Sequence, residues 1–138
     1  NGALAGLVSI TASADTIEPG SAIIIGSVGG CVVVLGILGL NRLRIDDPVG
    51  AIPVHLVCGI WGTAAVGLFS VSDEHSVASQ LRGIGAAAAR AFPAAVLLFI
   101  ALKLTIGLRV SPEAERIGLD IDEHGMEAYS GFQIFNTQ

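Results

Sequence analysis

His55 lies inside Pro48–Ser70 (PVGAIPVHLVCGIWGTAAVGLFS), a run otherwise uncharged and long enough to cross a bilayer. An ionisable imidazole at membrane depth is costly, so it faces a pore, a cavity or a partner and by default marks function. A neutral imidazole offers one donor and one acceptor, so it can hand on a proton or hold a small polar solute. From chemistry alone, a structural histidine bonded to a neighbouring helix fits as well, and both readings stand at this point.

The remaining reactive side chains have plainer expectations. Asp46 and Asp47 directly precede Pro48, where carboxylates cap free N–H groups and complement a helix dipole, with direct solute binding as the alternative. Trp61 is too deep in its segment for an interfacial anchor and is expected to pack between helices. Cys31 and Cys58 sit in apolar runs and read as small packing residues rather than a disulfide or a metal pair. His75 and His124 fall in polar stretches and are expected to be solvated, so no metal site or cofactor is expected. The sequence carries no nucleotide loop and no nucleophile elbow, which leaves an enzyme reading without support.

The elements that must position His55 follow from hydropathy. Of 138 residues, 52 % are hydrophobic and 14 % charged, and a soluble domain would carry about 25 % charged residues. A net charge of −5 without a basic patch excludes nucleic-acid binding as the leading class. Four apolar segments are expected at about 1–14, 20–40, 48–70 and 77–107, with charged or polar breaks at Asp15–Pro19, Asn41–Asp47 and Val71–Ser76. The first is short of a full span, and the chain reads as the C-terminal part of something longer.

Pro48 suits the first turn of the third helix, and Pro53 should kink it or free backbone groups that neighbours re-satisfy. Gly2 and Gly6, then Gly26, Gly29 and Gly30, recur at near-helical spacing and suggest close helix packing. Arg82 can snorkel from the outer end of the fourth segment. Arg90 lies about 12 Å further along the helix axis. Either that helix projects beyond the membrane there, or Arg90 faces protein or water.

Basic residues set the expected orientation. Arg42 and Arg44 lie between the second and third segments, and Lys103, Arg109 and Arg116 follow the fourth, so an even number of crossings separates them. The Asp15–Pro19 and Val71–Ser76 breaks hold no Lys or Arg, which places Asn41–Asp47 and the tail in the cytoplasm. The tail, residues 108–138, holds six of the twelve carboxylates, and by composition alone it is a solvated, disordered extension.

Three stretches, in order, carry a resemblance: Asn1–Thr11 (NGALAGLVSIT), Ile45–Phe69 (IDDPVGAIPVHLVCGIWGTAAVGLF) and Gly107–Tyr129 (GLRVSPEAERIGLDIDEHGMEAY). Together they resemble the ammonium transporter (Amt/Rh) family, with the closest likeness to its microbial Amt branch. The resemblance implies an all-α membrane protein, a homotrimer of eleven-helix subunits in the inner membrane. This chain would supply the last four transmembrane helices, residues 1–107, and the cytoplasmic C-terminal tail, residues 108–138. His55 then matches the second of two stacked pore histidines, along which ammonia and a proton would move separately after ammonium is deprotonated. Asp47 matches an aspartate at the cytoplasmic start of the same helix, and Trp61 supports that helix. Gly50 stands where some members carry an aspartate.

The resemblance also assigns the tail. Gly118, Leu119, Asp120, His124 and Gly125 match a regulatory segment that packs on the cytoplasmic face, touches a neighbouring subunit and couples the pores. Asp122 replaces a regulatory threonine of plant members. A PII-type signalling protein is a partner the likeness allows on that face, beside ammonium, lipid and the trimer itself. Two rivals are an ammonium sensor signalling through the tail and a structural membrane fragment without transport.

Overall fold

A computed structural model of the chain describes residues 1–129. Among these residues the regular structure is entirely helical. The chain divides into two compact units, Asn1–Phe92 and Pro93–Gln138.

In the first unit, α1 (Gly2–Thr11), α2 (Pro19–Leu43) and α3 (Cys58–Phe69) pack on one another, and α3 is entered through a π turn at Ile52–Val57. α4 (Val77–Thr105) follows and runs through Pro93. Three helical stretches are long and apolar enough to cross a membrane: Pro19–Leu43, Ile52–Phe69 and Val77–Thr105. At 18 residues the second of these spans about 27 Å, close to the ~30 Å of a hydrocarbon core. By length and composition these are the helices of a membrane protein.

Small residues fix how closely the first three helices approach. Gly6 of α1 lies against Gly26 of α2: a Cβ built on Gly6 would sit 3.7 Å from the Gly26 carbonyl oxygen. One turn on, the buried Ser9 of α1 fills a socket walled by Gly29 of α2 and Gly62 of α3. A Cβ at either glycine would run into Ser9 itself. Ser9 Oγ donates to the Ala5 carbonyl at 2.7 Å, so the hydroxyl is buried without an orphaned proton. Gly2 and Gly30 meet nothing within 4 Å, so only part of the glycine pattern is used for contact in this chain.

The core is small: Ala5, Val33, Val54 and Cys58, with Val8, Val32 and Ile37 packed against it. Outside it, Ile23, Ile24, Val34, Leu35 and Leu38 of α2 are exposed. A helix apolar on every side fits a bilayer rather than water as its outer solvent. Cys58 Sγ reaches the Gly29 carbonyl at 3.5 Å as a packing residue, whereas Cys31 is exposed on α2.

Several boundaries differ from expectation. α2 continues through Asn41–Leu43 instead of turning there, with Arg42 in its last turn, where a cation complements the helix dipole. It ends at Arg44 in a left-handed conformation, φ 56°. Pro48 lies in a turn ahead of the third helical stretch, not in its first helical turn. The breaks 12–18 and 70–76 lie at one end of the bundle, joined by the Val71 N–H to the Thr16 carbonyl at 2.9 Å. His75, expected to be solvated, is half-buried. The short connection folds it onto the end of α3, where its Nδ1 lies 2.8 Å from Ser70 Oγ.

In the second unit, two short helices follow α4: α5 (Pro112–Ile117) and α6 (Leu119–His124). Ser111 caps α5 by accepting the Ala114 N–H at 3.1 Å. Arg109 pairs with Glu115 at 2.7 Å. The acidic tail is therefore folded over its described part, where composition alone suggested a disordered extension.

Candidate functional site

The loop before the third helical stretch supplies no ordinary first turn, so Asp47 does that work. The Asp47 carboxylate accepts the Ala51 N–H on Oδ1 and the Ile52 N–H on Oδ2, both at 2.9 Å. Asp47 also gives its backbone carbonyl to the Gly50 N–H at 3.1 Å. Asp46 makes neither carboxylate bond. Gly50 itself has φ +73°, a conformation that suits glycine, and a Cβ there would meet the Asn1 amide.

Pro53 has no N–H to give, and its ring blocks the usual bond to the preceding turn. The backbone responds by widening: Ile52–Val57 is a π turn, closed by the Cys58 N–H on the Pro53 carbonyl. Of the two effects expected of Pro53, a kink or freed backbone groups, the change of hydrogen-bond register is the one seen here. His55 lies within it.

Below the turn, Trp61 Nε1 donates to the Ile25 carbonyl at 3.0 Å and ties α3 to α2. Trp61 thus packs between helices, as its depth in the segment suggests.

His55 opens onto a groove of about 330 Å³ between the third helical stretch and the first half of α4. One wall carries His55, Leu56, Gly59, Ile60 and Thr63. The other is built of small or aliphatic residues, including Gly83, Ile84, Ala87 and Ala91 of α4. His55 is the only titratable group among these lining residues, and its imidazole has no hydrogen-bond partner among the described residues. Both ring nitrogens are therefore available to a solute or to further protein. Thr63 and the i, i+4 series Gly83, Ala87, Ala91 were not singled out from the sequence. The even spacing of the small residues was the one signal that could have found them.

With this geometry in place, residues 1–129 match the model of the Ammonium Transporter Family. The chain belongs to the ammonium transporter family.

This family member is 52 % identical, over 91 % of its length, to the candidate ammonium transporter sll1017 of Synechocystis sp.. It is 40 % identical, over its whole length, to ammonium transporter Amt2 of Archaeoglobus fulgidus. It is 33 % identical, over 94 % of its length, to the ammonium transporter of Bacillus subtilis. It spans 28 %, 33 % and 35 % of those relatives, respectively.

The tail residues named from the resemblance form a local unit of their own. Gly118 (φ +103°) separates α5 from α6, and Gly125 (φ +65°) ends α6, its N–H on the Ile121 carbonyl at 2.9 Å. Between them, Asp120 Oδ2 accepts the Ala128 N–H at 2.9 Å, folding the chain after α6 back onto its start. That bond holds the Asp120 carboxyl below the usual carboxylate range, with a smaller contribution from His124. A Cβ on Gly118 would meet Asp120 Oδ1 at 2.6 Å, so this glycine leaves room for the carboxylate. Leu119 and His124 are exposed on α6.

Proposed function

We propose that this chain is the C-terminal portion of an ammonium transporter, and that His55 carries ammonia and a proton along its path. The observation that supports this most directly is the His55 imidazole, unpartnered among the described residues, on an otherwise apolar groove. Such a group can bond ammonia through one nitrogen while the other passes or receives a proton. The apolar walls would leave an ammonium ion poorly solvated, which favours movement of neutral ammonia with its proton handled separately.

In this reading Asp47 holds the start of the pore helix, and Trp61 fixes its depth against α2. The complete subunit is an eleven-helix protein of the cytoplasmic (inner) membrane, assembled as a trimer with the tail in the cytoplasm. Gly118, Leu119, Asp120, His124 and Gly125 form the regulatory surface, which a neighbouring subunit or a PII-type protein would touch.

The test is ammonium-evoked current in proteoliposomes holding the complete trimer, followed by His55→Ala. The variant should reduce the current by about 100-fold or alter its selectivity for the ammonium ion, in line with loss of a positioned proton-transfer group. Unaltered current and selectivity in a well-assembled trimer would remove the relay role. An absence of current in the unmodified protein, with ammonium binding retained, would instead favour a sensor.

A further inference from the structure

The π turn at Ile52–Val57 has a geometric effect on the whole third stretch. Gly50, Val54, Cys58, Gly62 and Val66 are all buried and follow one another in steps of four. In an α-helix each four-residue step overshoots a full turn by about 40°, so such a stripe should wind around the helix. A π turn holds more residues per turn, and the same step then falls short. The turn therefore cancels much of the drift and keeps the buried stripe on one side. With the stripe on one side, His55, Gly59 and Thr63 stay together on the groove side.

What lies behind the turn is Gly36 of α2. A Cβ built on Gly36 would stand 2.9 Å from Pro53 Cβ and 3.4 Å from Pro53 Cγ. Pro53 is fully buried there and is not among the residues that line the groove with His55. Glycine at 36 thus provides the seat into which the proline ring of the widened turn fits.

We propose that Gly36 and Pro53 are positioning residues, which hold the π turn in register so that the His55 imidazole faces the groove. Neither touches the groove, and each acts through the backbone that carries His55. The inference rests on the transport role proposed for His55.

The experiment uses the complete subunit in two measurements. One is a cryo-electron microscopy structure of the unmodified protein and of Gly36→Ala. The other is ammonium flux against concentration for both, with Gly39→Ala as control, since a Cβ at Gly39 meets nothing within 4 Å. Gly36→Ala should displace the turn and move His55, and lower the maximal rate roughly tenfold or more, as misplacement of a reacting group does. The half-saturating concentration should stay within about twofold, because a misplaced relay affects passage rather than capture.

Should Gly36→Ala fail to assemble, Pro53→Ala is the second variant. It restores an N–H, so the segment should revert to an α-helix with the same loss of maximal rate. An unmodified protein with no π turn would overturn the proposal, as would a variant that moves the turn yet keeps its full rate. A rate loss with His55 unmoved would do the same. If the unmodified protein carries no flux while Gly36→Ala still shifts His55, the transport reading fails and the positioning role stands.

Discussion

At the scale of single residues, the described tail turns on a carboxylate and a glycine. Asp120 holds Ala128 through its carboxylate, and that bond lowers the folded-state pKa. Its contribution is therefore complete above the unfolded pKa and disappears as pH falls through the lowered folded value. The Ala128 amide resonance, followed by NMR in 15N-alanine-labelled protein, should titrate with a midpoint below the ordinary carboxylate range. Asp120→Asn should abolish that titration, and a midpoint at or above the ordinary range would contradict the bond.

Gly125 is the second case. A left-handed φ of +65° is strained for other residues by about 1–2 kcal/mol. A carboxylate after the last turn also opposes the dipole. Gly125→Asp should thus loosen the end of α6 and lower ammonium flux several-fold if the tail couples the subunits. Full activity in that variant would argue against a tail role.

At the scale of elements, the four apolar segments could be read from hydropathy to within a few residues. Their ends were less legible. A charged sequence such as Asn41–Leu43 can extend a helix beyond an apolar run, because Arg42 suits the last turn. The π turn was hidden because a changed hydrogen-bond register leaves no mark in composition: Pro53 signals a disturbance, but not whether the chain bends or widens. Which glycines matter was also hidden. Gly26 and Gly30 look alike in sequence, and only the position of α1 shows that Gly26, with Gly29, makes contact.

Substitution should separate such pairs. Gly62→Ala drives a methyl into the Ser9 backbone and should lower stability by about 1–3 kcal/mol. Gly59→Ala, three residues earlier and free of neighbours within 4 Å, should raise it by up to about 1 kcal/mol through helix propensity. Thermal unfolding in detergent measures both, and equal shifts would show that the socket around Ser9 is not tight.

At the scale of the whole molecule, the family was legible because it resides in local motifs. The groove opposite His55 was not, since it depends on which face of α4 lies nearby, and every residue of that helix is at least partly exposed. The distribution of basic residues makes a further claim that can be checked in cells. Glu74→Cys should react with a membrane-impermeant maleimide added outside, whereas Glu113→Cys should react only after the membrane is opened. Labelling of both from one side would refute the assigned orientation.

The bond from Val71 to the Thr16 carbonyl carries an implication for biogenesis. Val71 follows Thr16 by 55 residues, so at 5–20 residues per second its N–H is synthesised roughly 3–11 s after its acceptor. Under the proposed topology, α2 and the third stretch must both cross the membrane before the two loops can meet on the same face. On that topology the contact forms only after the second and third helices have been inserted as a pair. Until then the Thr16 carbonyl is left to interfacial water, which is available at a loop but absent at mid-bilayer. A late-closing latch of this kind belongs at the membrane surface, and a loop is where this chain has it.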